Sequence, residues 1–190
     1  MATLSKRSTA TLIAVAVIIL GTLFGVHRSV GSQSARIEAQ FYGGVFLKDG
    51  NYTQPSIQSQ LDKRATAALG LASLGSSYDV SSVTDKAEAL RQARNDLLNA
   101  STITGKYIAN EKLQSAYKAF SGAVLGIGPA DKAEAFKSYS ETMDGAQSII
   151  EKSAYNAEVT AFLQQLRSFP VNILKNLAFV NYPEYFGAEG

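Results

Sequence analysis

The apolar positions along this chain fall into two kinds of pattern. Residues 8–26, STATLIAVAVIILGTLFGV, carry no charge at all. After residue 54 the apolar positions recur at helical spacing, with polar residues between them. As a helix, residues 8–26 are roughly 28 Å long at ~1.5 Å per residue, close to the ~30 Å thickness of a bilayer's hydrocarbon core. The segment therefore reads as a single transmembrane anchor, residues 1–27. A signal peptide is the alternative, because the strictly apolar part, residues 12–26, is shorter; no small-x-small cleavage site follows it cleanly.

Beyond the anchor, residues 28–54 read as a stalk and a Gly-rich loop, GGVFLKDGNYTQ. Residues 45–47 within it could form a short extended piece without an obvious partner. In residues 55–76, Ile57, Leu61, Ala65, Ala68 and Ala72 alternate four- and three-residue steps. In residues 84–100, Ala87, Leu90, Ala93 and Leu97 do the same, behind a Thr84/Asp85 start with Glu88 placed as in a capping box. Leu113, Tyr117, Phe120 and Val124 mark a third helix, and Gly105 is expected to break the chain before it.

Residues 130–169 read as one helix about 60 Å long. Its first seam is Phe136, Tyr139, Met143, Ala146 and Ile150. Its second is Tyr155, Val159, Phe162, Leu166 and Phe169, offset by five residues. Pro170 stops it, because its ring cannot be accommodated in a helix interior. Long helices with one apolar face and short connections bury those faces side by side. The expected fold is all-α: an N-terminal transmembrane helix followed by an elongated antiparallel, four-helix-type bundle. Phe169, Phe179, Tyr182, Tyr185 and Phe186 are expected to fold over the end of that bundle as an aromatic cap.

Charge and chemistry narrow the function classes. Without Lys6 and Arg7, which precede the apolar run, the chain holds 18 − 2 = 16 basic and 16 acidic residues. That balance leaves no basic footprint for nucleic acid. There is no cysteine, and the one histidine, His27, stands at the membrane edge. The usual nucleophile–base pairs cannot be assembled from this inventory. No catalytic, metal-binding or cofactor-binding residues stand out, and the expectation is a protein without enzymatic activity or cofactor. Gly21 and Gly25 share the four-residue spacing that lets membrane helices approach closely, a route to a homo-oligomer. Lys6 and Arg7 on one side, against Arg28 and Arg36 on the other, lean slightly towards an inside N-terminus and an extracytoplasmic bundle.

The stretch SAYNAEVTAFLQQLRSFP, residues 153–170, resembles the closing signature of the LemA family. The positions that fit are Tyr155, Asn156, Val159, Phe162, Phe169 and Pro170. The following VNILKNLAFVNYPEYF fits as well, through Asn172 and the Tyr185–Phe186 close. The anchor and the entry Gln60-Leu61-Asp62-Lys63-Arg64 also look like that family, whereas Lys152-Ser153-Ala154, Leu163 and Ala178 depart from it. The resemblance implies a divergent bacterial member: a single-pass protein of the cell membrane whose bundle, residues 55–190, acts as an interaction or scaffolding module at the cell envelope. It attaches no enzyme activity, and the family's molecular function is not established. The implied partners are the lipid bilayer and another protein. A self-associating, membrane-shaping protein and a secreted bundle released by signal cleavage are the alternatives.

Asn156 raises a specific question. It lies beside the apolar seam and is a mediocre helix former. If it is buried, its amide must find partners, either on a neighbouring helix or at a loop carbonyl.

Overall fold

The computed structural model describes residues 2–127, 132–167 and 181–187, with the backbone alone for residues 2–7. Among the described residues six α-helices run in chain order: α1 (Ala2–Gly43), α2 (Ile57–Gly75), α3 (Ser81–Asn99), α4 (Ile103–Ile127), α5 (Ala133–Glu151) and α6 (Tyr155–Gln165). Strands β1 (Val45–Leu47) and β2 (Tyr52–Gln54) form an antiparallel hairpin between α1 and α2, with Val45 opposite Gln54 and Leu47 opposite Tyr52. The expected all-α bundle is thus the fold. The extended piece at 45–47 does have a partner, seven residues further along.

Two compact units are formed, Met1–Glu38 with Ala157–Pro183, and Ala39–Asn156 with Glu184–Gly190. In the first, α1 contains a stretch long and apolar enough to cross a membrane, and none of that window is buried. Leu12, Ile13, Ile18, Leu20 and Phe24 all lie exposed on it. The helix does not end with the apolar run. It continues through residues 28–43, where a stalk was expected, as one helix of about 63 Å. Val159 and Phe162 of α6, with Leu166 just after its end, form a buried stripe at helical spacing.

The second unit is the bundle. Helix α2 packs against both α3 and α5, and α3 packs against α4. The remaining side is closed by side chains of α4 and α5: the rings of Phe120 and Phe136 meet at 6.4 Å, and the Tyr117 hydroxyl donates to Asp144 Oδ2 at 3.2 Å. Because α2 has neighbours on two sides, its buried face is broad, running from Ile57 and Leu61 through Ala65, Ala68 and Leu71 to Gly75. Gly75 permits the closest approach. A Cβ there would stand 2.5 Å from the Phe120 ring and 2.6 Å from Ala87. The stripes of α3 and α4 are those expected from their spacing, with Ala87, Leu90 and Leu97 on one and Leu113, Tyr117, Phe120 and Val124 on the other.

Three boundaries differ from expectation, each for a local reason. Helix α3 starts a turn earlier than Thr84, because Val83 is itself fully buried and extends the stripe backwards. Thr84 Oγ1 donates to the Ser81 carbonyl inside the first turn and so is not the cap. Gly105 does not break the chain. It lies in the first turn of α4, where its N–H donates to Thr102 Oγ1 at 2.9 Å.

The helix expected over 130–169 is two helices, separated at Lys152–Ala154. A five-residue offset rotates the second seam by about 140° from the first. One straight helix cannot turn both seams to the same neighbours, and the chain interrupts itself instead.

The side chain of Gln54, at the end of β2, fills that interruption. Its Nε2 donates to the Lys152 carbonyl at 2.9 Å, and its Oε1 accepts from the Ala154 N–H at 2.9 Å. Backbone groups exposed by a broken helix need such partners. The hairpin is held in register for this by Gly44, whose φ of +90° and 2.2 Å approach of a would-be Cβ to the Gln54 carbonyl admit no side chain. Replacing Gln54 with Ala should lower stability by about 1–2 kcal/mol, for two lost hydrogen bonds. Hydrogen exchange followed by NMR should show the Ala154 amide losing protection while the α3 amides keep theirs.

Candidate functional site

The polar residues of the bundle core cluster at one level. Arg64, on α2, has no exposed surface, and Asn110, on α4, is 1% exposed. Both lie in phase with the apolar stripes of their helices: Arg64 is three residues after Leu61, and Asn110 is three before Leu113. The Arg64 guanidinium donates through Nη1 to Asn110 Oδ1 and Gln147 Oε1, and through Nη2 to Gln114 Oε1. Asn110 Nδ2 in turn donates to Gln147 Oε1 at 3.2 Å, and Gln147 Nε2 to Glu151 Oε1 at 2.9 Å. One cation on α2 is thereby tied to amides on α4 and α5.

No carboxylate lies within salt-bridge distance of Arg64 among the described residues. The anions stand further out, with Glu111, Asp144 and Glu151 favouring the charge from a distance. Burial outweighs them and lowers the Arg64 pKa to about 10. The side chain remains protonated at neutral pH in the folded and unfolded chain alike. Burial, reinforced by Asp144, likewise raises the Tyr117 phenol above its ordinary range.

A second cluster lies at the end of the bundle, where α6 begins. Tyr155 has no exposed surface, and its hydroxyl donates to the Glu184 carbonyl at 2.7 Å. Asn156 is half-buried and pairs with the Phe186 backbone in both directions. Its Nδ2 donates to the Phe186 carbonyl at 2.8 Å, and its Oδ1 accepts the Phe186 N–H at 3.1 Å. Glu184 continues the link to α4 by accepting from the Thr104 N–H at 2.9 Å. The Phe186 ring is buried at 5.6 Å from Phe41, in the last turn of α1, and at 5.5 Å from Tyr107. Phe41 also meets the Tyr155 ring edge-on at 5.7 Å.

These two clusters border one pocket of about 290 Å³, lined by Tyr107, Asn110, Glu111, Gln147, Glu151 and Asn156 among others. Ile57, Ile150 and Phe186 supply its apolar lining. Among the described residues there is no group of His, Asp and Glu side chains arranged to hold a metal ion.

No protein-family model, curated protein or solved structure matches this chain.

Of the residues singled out from the sequence, Tyr155, Asn156 and Phe186 are brought together, and Tyr185 accompanies them, with its carbonyl 3.4 Å from Thr104 Oγ1. Val159 and Phe162 continue the buried stripe of α6. Gly21 and Gly25 lie apart, on α1, with nothing within 4 Å of a Cβ built at either. Phe169, Pro170 and Asn172 lie outside the described residues, as does Phe179 of the expected aromatic cap. Tyr182, another cap residue, is 40% exposed.

Arg64, Asn110, Gln147, Gln54 and Phe41, which build these two clusters and the helix break, were not singled out by spacing. The available signal was phase, since a charged or amide side chain at a stripe position must be buried with its partners.

Replacing Arg64 with Met leaves the Asn110 and Gln114 amide oxygens without their donor and takes one of two donors from Gln147 Oε1. It should cost about 2–4 kcal/mol in urea unfolding of the detergent-solubilised chain, part of the loss being offset by relief of the buried charge. Arg64→Lys should not recover it, because an ammonium cannot reproduce the planar fork. Asn156→Leu should cost about 1–3 kcal/mol and make the chain around residue 186 cleavable under limited proteolysis.

Proposed function

We propose that this protein is a divergent, non-enzymatic member of the LemA type: a single-pass membrane protein whose helical bundle is an interaction module at the bacterial cell envelope. The observation that carries the reading is the meeting of the two ends of the family-like signature. Tyr155 and Asn156 hold Glu184 and Phe186 by three hydrogen bonds, although the bonded pairs stand 29 and 30 positions apart in the chain. The apolar stretch of α1 supports a retained anchor, and a chain with no cysteine and a single histidine supports a role in binding. The proposal puts the bundle on the extracytoplasmic side, a choice supported only by the slight bias of the charge flanking that stretch.

The test uses the natural lack of cysteine. Lys132 would be a poor labelling position, because its Nζ donates to the Ser77 carbonyl at 2.9 Å and lies 4.2 Å from the Tyr78 ring centroid. Lys86 is exposed on α3 and suits a single cysteine. A membrane-impermeant maleimide should label Lys86→Cys in intact cells, on a protein that sediments with membranes. Labelling only after lysis would place the bundle in the cytoplasm, and a mature N-terminus beyond Val26 would replace the anchor with a signal peptide. Cross-linking from the bundle surface should capture a reproducible envelope protein.

A second reading, a self-associating membrane-shaping protein, is favoured by the open helix surface at Gly21 and Gly25. If it holds, Gly21→Ile with Gly25→Ile should reduce the particle mass in mild detergent. An unchanged mass excludes that route.

A further inference from the structure

The pocket between α4, α5 and the start of α6 has an internal hydrogen-bond pattern that limits what can enter it. Its amides are largely committed to the protein. Asn110 Oδ1 faces Arg64, Gln147 Nε2 faces Glu151, and both polar atoms of the Asn156 amide hold Phe186. Most of the remaining hydrogen-bonding capacity belongs to carboxylate oxygens. Glu151 has one oxygen engaged by Gln147, and the Glu111 carboxylate accepts no hydrogen bond among the described residues, its backbone carbonyl alone accepting from Ser115 Oγ. Beside the Tyr107 and Ser153 hydroxyls, which can act either way, the open carboxylate oxygens favour an entering group that brings donors.

Charge selects in the same direction. Among the described residues the pocket lining holds two carboxylates, Glu111 and Glu151, and no cation, while the Arg64 guanidinium behind it is also within electrostatic reach of Asp144. Ile57, Ile150 and the Phe186 ring supply an apolar surface, and the Tyr107 ring borders the cavity. A cation on an apolar stem satisfies all of these: donors to the carboxylates, methylenes against the isoleucines, and a charge near an aromatic face. At about 290 Å³ the cavity accommodates one such side chain and excludes a large cofactor.

We infer that this pocket is the recognition site of the interaction module and receives an arginine or lysine side chain from a partner protein. The inference rests on the interaction-module reading and adds the chemistry of the partner. A free organic amine or guanidine carries the same chemistry and is the other possible source.

The experiment uses the full chain in neutral detergent, titrated with n-butylguanidinium chloride at constant ionic strength, with n-butylurea as the neutral counterpart. NMR of the Asn110 and Gln147 side-chain amides should show saturable shifts with the guanidinium. Binding should weaken at least tenfold in Glu111→Gln/Glu151→Gln. Glu111→Gln alone, which removes no hydrogen bond, should weaken it several-fold and provides the control if the double variant fails to fold. An absence of saturable shifts, equal binding by n-butylurea, or undiminished binding in Glu111→Gln would overturn the assignment.

A photo-cross-linker at Tyr107, compared with one at Lys86, separates the two sources. Capture of a protein from position 107 that n-butylguanidinium competes away supports the proposal. A protein captured only from Lys86 leaves the module standing and removes the pocket from it. A guanidinium that binds while no protein is captured from either position overturns the module reading and assigns the pocket to a small amine.

Discussion

The bundle is organised around a buried guanidinium that has no ion-pair partner among the described residues. Removing a charge from water costs several kcal/mol even after relaxation, and Arg64 has no exposed surface. What offsets that cost is geometry: the planar fork points its two terminal nitrogens at three amide oxygens, from Asn110 and Gln114 on α4 and Gln147 on α5. Charge-assisted hydrogen bonds of this kind are about twice as strong as neutral ones. They are also directional, as the surrounding Ala- and Leu-rich packing is not. A slide of α2 by one turn could keep much of the apolar contact, but it would strand the guanidinium. Arg64 therefore selects one register among several that hydrophobic burial alone would tolerate.

The same principle operates at the chain's interruptions. Where α5 stops and α6 starts, the orphaned backbone groups are met by one glutamine, Gln54, reaching from the hairpin. Where the final described segment returns to the bundle, Asn156 pairs with both backbone groups of Phe186. Each amide presents a donor and an acceptor side by side and so imitates the edge of a strand. The small hairpin is thus part of the bundle's architecture, since its terminal residue is the partner of a helix break. The polar level around Arg64 and the Asn156 clamp share a pocket between them, which couples what holds the fold together to the surface proposed for recognition.

Much of this fold was legible because helical periodicity survives in a single sequence. The stripes of α2, α3 and α4 could be read from spacing, and so could the apolar character of the first helix. The end of α5 was not, although its cause was visible: two seams offset by five residues are incompatible with one straight helix, and the sequence does not say whether the helix will bend or stop. The strand pairing was missed because three-residue strands carry almost no period, and because Gln54 acts through a contact about 100 residues away. Arg64 stands in the family-like entry Gln60–Arg64, where nothing local distinguishes it from its polar neighbours. Its burial follows from its phase with Leu61 and Ala68, but its partners required knowing which helices are neighbours. Asn156 was the residue most nearly anticipated, as an amide in need of a loop or a neighbouring helix; its match with Phe186 depends on the chain's return.

The claim on which the account turns is that Arg64 is immobilised and hydrogen-bonded inside the bundle at neutral pH. Nitrogen-15 NMR of the arginine side chains in the detergent-solubilised chain tests it directly. One guanidinium, assigned by its loss in Arg64→Lys, should give separate, slowly exchanging Nη resonances with arrested rotation, while the exposed arginines give averaged signals. A single averaged, rapidly exchanging signal for Arg64 would contradict the account and leave the register of the bundle to apolar packing alone.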